Sequence, residues 1–141
     1  MSAENGAREA THWAVHEISL TPEATAALSS LAGSLGFDVV RIDLAACGDK
    51  SSFLERMAEA LAFPGWFGQN WDAFFDCLAD LSWHPARGYV LLLEHAETMR
   101  RDAPEALDTA LAILGDAASA WESRGVPFRV FVSAPSPTDA G

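Results

Sequence analysis

The sequence predicts an α/β domain, a small layered fold built around a parallel sheet of three strands, with a candidate fourth strand near the N-terminus. Three observations carry this expectation. Short β-rich runs alternate with longer helical stretches along the whole chain. Two of those runs, Tyr89 to Glu94 and Phe128 to Ser133, are too continuously apolar for a strand with one wet face. The helical stretches between strands are long enough for right-handed crossovers, which join parallel neighbours. At 141 residues and 15.1 kDa there is room for one domain with a modest core.

The elements follow in order. Met1 to Thr11 is polar and expected to fray. Trp13 to Leu20 alternates weakly, and His16 and Glu17 suit it to a sheet edge. Thr21-Pro22-Glu23 offers a cap, a first-turn proline and an acid on the positive end of a helix dipole. Leu28, Leu31 and Leu35 follow as its apolar stripe, and Gly36 can stop it. Phe37 to Leu44 reads as a strand. Ser52-Phe53-Leu54-Glu55 reads as a capping box, ahead of a stripe of Phe53, Leu54, Met57, Ala58 and Leu61 that Pro64 ends. A third helix is expected from about Asn70 to Ser82. A fourth should run from Pro104 to about Ser123, with Leu107, Leu111, Leu114, Ala118 and Trp121 facing inward and Gly125 as its stop. Ala134 to Gly141 is a Pro/Ser tail expected to be disordered.

Composition excludes several functions. Nine basic against 20 acidic side chains give a formal charge of -11. Such a chain is a poor ligand for nucleic acid, where phosphate binding needs Lys and Arg, and a good one for a basic protein. No stretch resembles a signal peptide or approaches the roughly 20 apolar residues of a membrane span, so a cytoplasmic protein that binds no membrane is expected. Cys47 and Cys77 are too few and too far apart for a disulfide framework and read as buried, idle thiols. No phosphate-cradling loop, nucleophile elbow, metal-binding histidine pair or CxxC is present, and His12, His16, His84 and His95 are scattered. Neither a cofactor nor a small-molecule substrate is expected, and an enzyme is the least favoured class.

The informative segment runs from Leu61 to Asp80. No Lys or Arg occurs between Met57 and Ala86. At about 3.6 residues per turn, Asp72, Asp76 and Asp80 form one stripe that drifts only about 40° per step. Trp71, Phe74, Leu78 and Leu81 make the opposite, core face, and Phe75 falls on the border. Like charges four residues apart destabilise a helix, and no cation offsets them here. Asp72 partly escapes this cost because it lies in the first turn. Three readings remain open: a binding face, an ordinary solvated acidic face, and a divalent-cation site, for which one helix rarely supplies enough ligands. Before the stripe, Pro64-Gly65-Trp66-Phe67-Gly68 sets two aromatics in a glycine-pinched loop. Either one ring faces solvent, as in an interface hot spot, or both pack over the sheet.

The order Pro-x-aromatic-aromatic-Gly-x-Asn-x-Asp-Ala-aromatic-aromatic-Asp between Pro64 and Asp76 resembles the signature of the barstar family, intracellular inhibitors of barnase-type microbial ribonucleases. The strand and helix order from Phe37 to Ser133 agrees with that family's fold. The resemblance covers residues 37–133, the expected core of a single barstar-like domain over 12–133, and residues 12–36, outside the resemblance, are expected to form an extension of it. It further implies that Trp66, Gly68, Asn70, Asp72 and Asp76 face the ribonuclease, that Phe75 packs beside them, and that Asp76 sits deepest in the nuclease cleft where phosphate normally binds. Departures are specific. Ala120 stands where the family often has an acid on its last helix, with Asp116 and Glu122 nearby but unmatched. Trp66 replaces a tyrosine, Gln69 an acid, and Asp80 adds a charge where a glycine is expected. These point to a divergent ribonuclease, such as a toxin domain.

The leading expectation is therefore an inhibitor or immunity protein that occludes the basic active site of a ribonuclease through Trp66, Gly68, Asn70, Asp72, Phe75, Asp76 and Asp80. The alternative is a non-catalytic regulatory module that binds some other basic protein.

Overall fold

The structure, a computed structural model, describes residues 12–65 and 68–134. The expectations for Met1 to Thr11, for Trp66 and Phe67, and for the tail beyond Ala134 lie outside the described residues.

Among the described residues, four parallel strands form one sheet: β1 (Val15–Ile18), β2 (Asp38–Asp43), β3 (Tyr89–Glu94) and β4 (Phe128–Ser133), in the order β1-β4-β3-β2. The described residues include five helices that connect them: α1 (Pro22–Ser34), α2 (Lys50–Leu61), α3 (Trp71–Asp80), α4 (Glu97–Asp102) and α5 (Pro104–Glu122). β3 pairs with β2 on one side and β4 on the other, so Tyr89 to Leu93 are all buried, which accounts for the uninterrupted apolar run. The candidate fourth strand forms, at the edge expected of it, with Val15 opposite Val130. Both outer strands carry polar side chains: His16 and Glu17 on β1, Asp38, Arg41 and Asp43 on β2.

Each face of the sheet has its own core. On one face α2, α3 and α5 pack Phe53, Leu54, Met57, Phe74, Leu78, Leu114 and Trp121 against Ile42, Leu91, Leu93, Phe128 and Val130. On the other, α1 alone covers Val90 and Leu92, assisted by Leu28, Phe37, Val39 and Phe131. Residues 12–36 thus supply both an edge strand and the second layer.

Several expectations are corrected. Leu31 and Leu35 are 62% and 53% exposed, and α1 instead buries Thr25 and Ala32 beside a half-buried Leu28. Two stripes share Leu28, and the one with small residues lets the helix sit close on the sheet. The cap of α2 is Asp49, three residues before the expected Ser52. Asp49 Oδ1 accepts the Ser52 backbone N–H at 2.9 Å, and the Ser52 hydroxyl accepts the Asp49 N–H at 3.3 Å. The helix ends at Leu61, where Ala62 turns left-handed (φ 55°), ahead of Pro64. α4 was not foreseen. Its six residues are too few to show a period, and Met99 is its one buried side chain. α5 follows its expected stripe, with Leu107, Leu111, Leu114, Ala118 and Trp121 all buried.

Gly115 in mid-helix explains how the extension reaches α5. A Cβ there would lie 2.6 Å from His12 Cγ, so only glycine lets this imidazole cross the helix. His12 Nε2 then meets Ser119 Oγ at 2.8 Å. Among the described residues no helix is long and apolar enough to cross a membrane.

Candidate functional site

Asn70 is the hinge of the candidate site. Its side-chain oxygen accepts the Ala73 N–H at 2.8 Å and caps α3, while its amide nitrogen donates to the Gly68 carbonyl at 3.4 Å. Loop and helix are joined by one side chain. Gln69 between them is left-handed (φ 55°). Gly68, Gln69 and Asn70 are all exposed.

Along α3, Phe74, Cys77 and Leu78 are buried, while Asp72, Asp76 and Asp80 are exposed. Leu81 is buried too, as the left-handed cap (φ 47°). Trp71, expected in the core face, is only half-buried, because the first turn of α3 reaches the rim of the domain. It packs between Phe53 and Phe74, and Lys50 Nζ lies 5.2 Å from its ring centre. Phe75 is half-buried at the border between core and acids, as its position on the helix requires.

None of Asp72, Asp76 and Asp80 makes an ion pair or side-chain hydrogen bond among the described residues. Their charge is felt beneath them. The Cys77 thiol is pushed up to about 11, first by burial and then by Asp76 and Asp80.

α5 holds α3 in place by its backbone. Trp121 Nε1 donates to the Leu78 carbonyl at 2.8 Å, and Arg124 Nη2 donates to the Ala79 carbonyl at 2.7 Å. These bonds satisfy acceptors that the end of a helix leaves open, and they set a cation at the negative end of its dipole. The same guanidinium lies 4.1 Å over the Trp121 ring.

Between the two helices runs a groove of about 640 Å³, lined by Trp71, Asp72, Phe75 and Asp76 of α3 and by Ile113 and Asp116 of α5. Asp116 was passed over in the sequence because it does not align with Ala120. Its helical position could have found it: it lies one turn before Ala120 and three residues after Ile113, outside the stripe that faces the core. Ala120 itself is half-buried, and its carbonyl accepts from Arg124 Nε at 3.3 Å. A second cleft, of about 670 Å³ at the carboxyl ends of the strands, contains none of the candidate site residues, and its one arginine, Arg41, is paired with Glu94 at 2.8 Å.

The histidines do not assemble catalytic machinery among the described residues. His84 pairs with Asp38, His95 faces Glu97 at 3.7 Å, and His16 stacks on Phe131. His12 does lie beside Ser119. Its Nδ1, however, accepts the Ala14 N–H at 3.0 Å, so the proton is on Nε2 and the ring cannot take one from the serine.

Residues 37–133 match the family model described as Barstar (barnase inhibitor). No curated protein matches the chain.

Proposed function

Because the chain belongs to the barstar family, we propose that it is a cytoplasmic immunity protein, an inhibitor of a basic microbial ribonuclease with no catalysis of its own. The α3 acids stand in for RNA phosphates. A ribonuclease holds its substrate with Arg and Lys, and carboxylates accept the charge-assisted hydrogen bonds that those residues otherwise give to phosphate. Asp76 enters the cleft, Asp72 and Asp80 meet cations at its margin, and Gly68, Asn70 and Phe75 form the surrounding contact with Trp66. The cleft is blocked to RNA by shape and by charge.

The observation that carries this reading is the unneutralised stripe. Three exposed aspartates on one helix face keep a destabilising arrangement with no ion pair among the described residues. A structural surface would gain from mixing signs.

Inhibition of RNA cleavage by barnase-type ribonucleases, together with dissociation rates for the wild type and Asp76→Ala, tests it. Removing a carboxylate buried against cations should speed dissociation by roughly thirtyfold or more, since such a loss costs about 2 kcal/mol at least. An unchanged rate would take Asp76 out of the site. A wild-type protein that inhibits no such nuclease would overturn the reading.

A further inference from the structure

We propose that the cleft at the carboxyl ends of the strands binds a neutral sugar through its cis-diol, the chemistry shared by free ribose and the ribose of a nucleoside. The inference is independent of the inhibitor reading, since the cleft contains none of the α3 residues. Its place follows from the topology. The chain leaves β1 for α1 on one face of the sheet and leaves β3 for α4 and α5 on the other. β4 lies between those two strands, so the connections part above its carboxyl end and open a crevice of about 670 Å³. Ligands of parallel sheets bind at such points, and the volume is that of a small-molecule site. Residues 19–29 of the extension build one wall, and Arg41 of β2, Glu94 of β3 and Ser133 of β4 contribute to the other.

Thr25 points to a ligand. It lines the cleft, is only 5% exposed, and its hydroxyl makes no hydrogen bond among the described residues. The Thr21 carbonyl, one turn earlier, takes the Thr25 backbone N–H at 2.9 Å instead. A buried hydroxyl without a partner is costly, and a valine of the same shape would avoid that cost.

The rest of the lining selects the class of ligand. Ser133 Oγ accepts the Ala96 N–H at 2.8 Å, which leaves its own proton to donate. Arg41 Nε donates to Glu94 Oε2 at 2.8 Å, so the pair is neutral yet keeps two guanidinium nitrogens and one carboxylate oxygen unused among the described residues. Neighbouring hydroxyls each give and take a hydrogen bond, and an edge of donors beside acceptors answers both. An anion is disfavoured, because Arg41 is already neutralised, His95 faces Glu97 at 3.7 Å, and Glu97 itself lines the cleft. A hydrocarbon would strip water from these polar groups without replacing it. Leu20 and Pro22 are enough to take the C–H face of a sugar ring.

The test follows the amide resonances of Thr25 and Ser133 by NMR while ribose, adenosine, their 2-deoxy counterparts and adenosine 5′-phosphate are titrated into the full chain. Saturable shifts with ribose assign the cleft to the sugar alone, and shifts with adenosine but not ribose assign it to a nucleoside. In either case the deoxy counterpart should bind at least about tenfold more weakly, since a hydrogen bond to a charged group is lost, and the phosphate should weaken adenosine binding. Thr25→Val should weaken binding about two- to tenfold while leaving the melting temperature unchanged or higher, because no native hydrogen bond is removed. The proposal is overturned if neither ribose nor adenosine gives saturable shifts, if the deoxy counterpart binds equally well, or if Thr25→Val binds as the wild type does. None of these outcomes touches nuclease inhibition, so that reading stands or falls separately.

Discussion

Asn70 caps α3 and holds the Gly68 carbonyl, so a single amide sets both the start of the acidic helix and the path of the loop before it. Replacing it with alanine should cost about 1 kcal/mol of stability, read from urea denaturation. Aspartate at this position should keep the cap but lose the donor to Gly68. Asp49 supports a pH prediction. Donation from the Ser52 hydroxyl and backbone holds its carboxyl below the usual carboxylate range. A depressed folded value means the stabilisation is present above the ordinary carboxylate range and disappears as pH falls through the lowered one. Asp49→Asn should therefore flatten part of the acid limb of a melting-temperature profile. Cys77, raised to about 11, stays a buried thiol at neutral pH. Iodoacetamide should leave it unmodified in the native protein and label it in urea. At this scale the sequence placed Asn70 at the start of a helix but did not foresee its capping role, and it was ambiguous where neighbours can exchange parts. Asp49 and Ser52 are both good caps, and only the backbone decides which of them begins the helix.

In the proposed inhibitor, α3 stands in tension between what a helix prefers and what the nuclease would require. Asp76 has a like charge four residues away on either side, and each such pair costs about 0.2–0.5 kcal/mol. Asp76→Asn should then raise the melting temperature slightly while weakening inhibition, a trade visible by running calorimetry and inhibition assays on the same sample. A variant that lost both would indicate a structural role. The element was readable in advance because its apolar spacing and its uniform sign agree. α1 was half readable: its cap and stop were plain, but its buried stripe was not, since alanine and threonine carry little hydrophobic signal beside Leu31 and Leu35. α4 left no signal at all in six residues. The contribution of α5 to the groove was hidden for a different reason, because Ile113 and Asp116 meet α3 only through the tertiary packing.

For the whole molecule, α1 and the acidic helix lie on opposite faces of the sheet, while the start of the extension crosses α5 at Gly115, on the face that also carries the acidic helix. Gly115→Ala should push His12 off α5 and loosen β1, lowering thermal stability by roughly 1 kcal/mol or more, as overpacking does. Inhibition should persist if the site depends on α3 alone, and weaken if α5 shifts with it. The net charge of -11 makes a separate prediction for the encounter with a basic nuclease. Its association rate should fall steeply as salt rises, whereas dissociation should change little, a contrast that stopped-flow mixing resolves.

The polar outer strands bear on abundance. A sheet with open margins invites further chains to join it, yet here one border is four residues long and bears His16 and Glu17, and the other presents Asp38, Arg41 and Asp43. Molecules bordered in this way can crowd together at high concentration without knitting into fibrils.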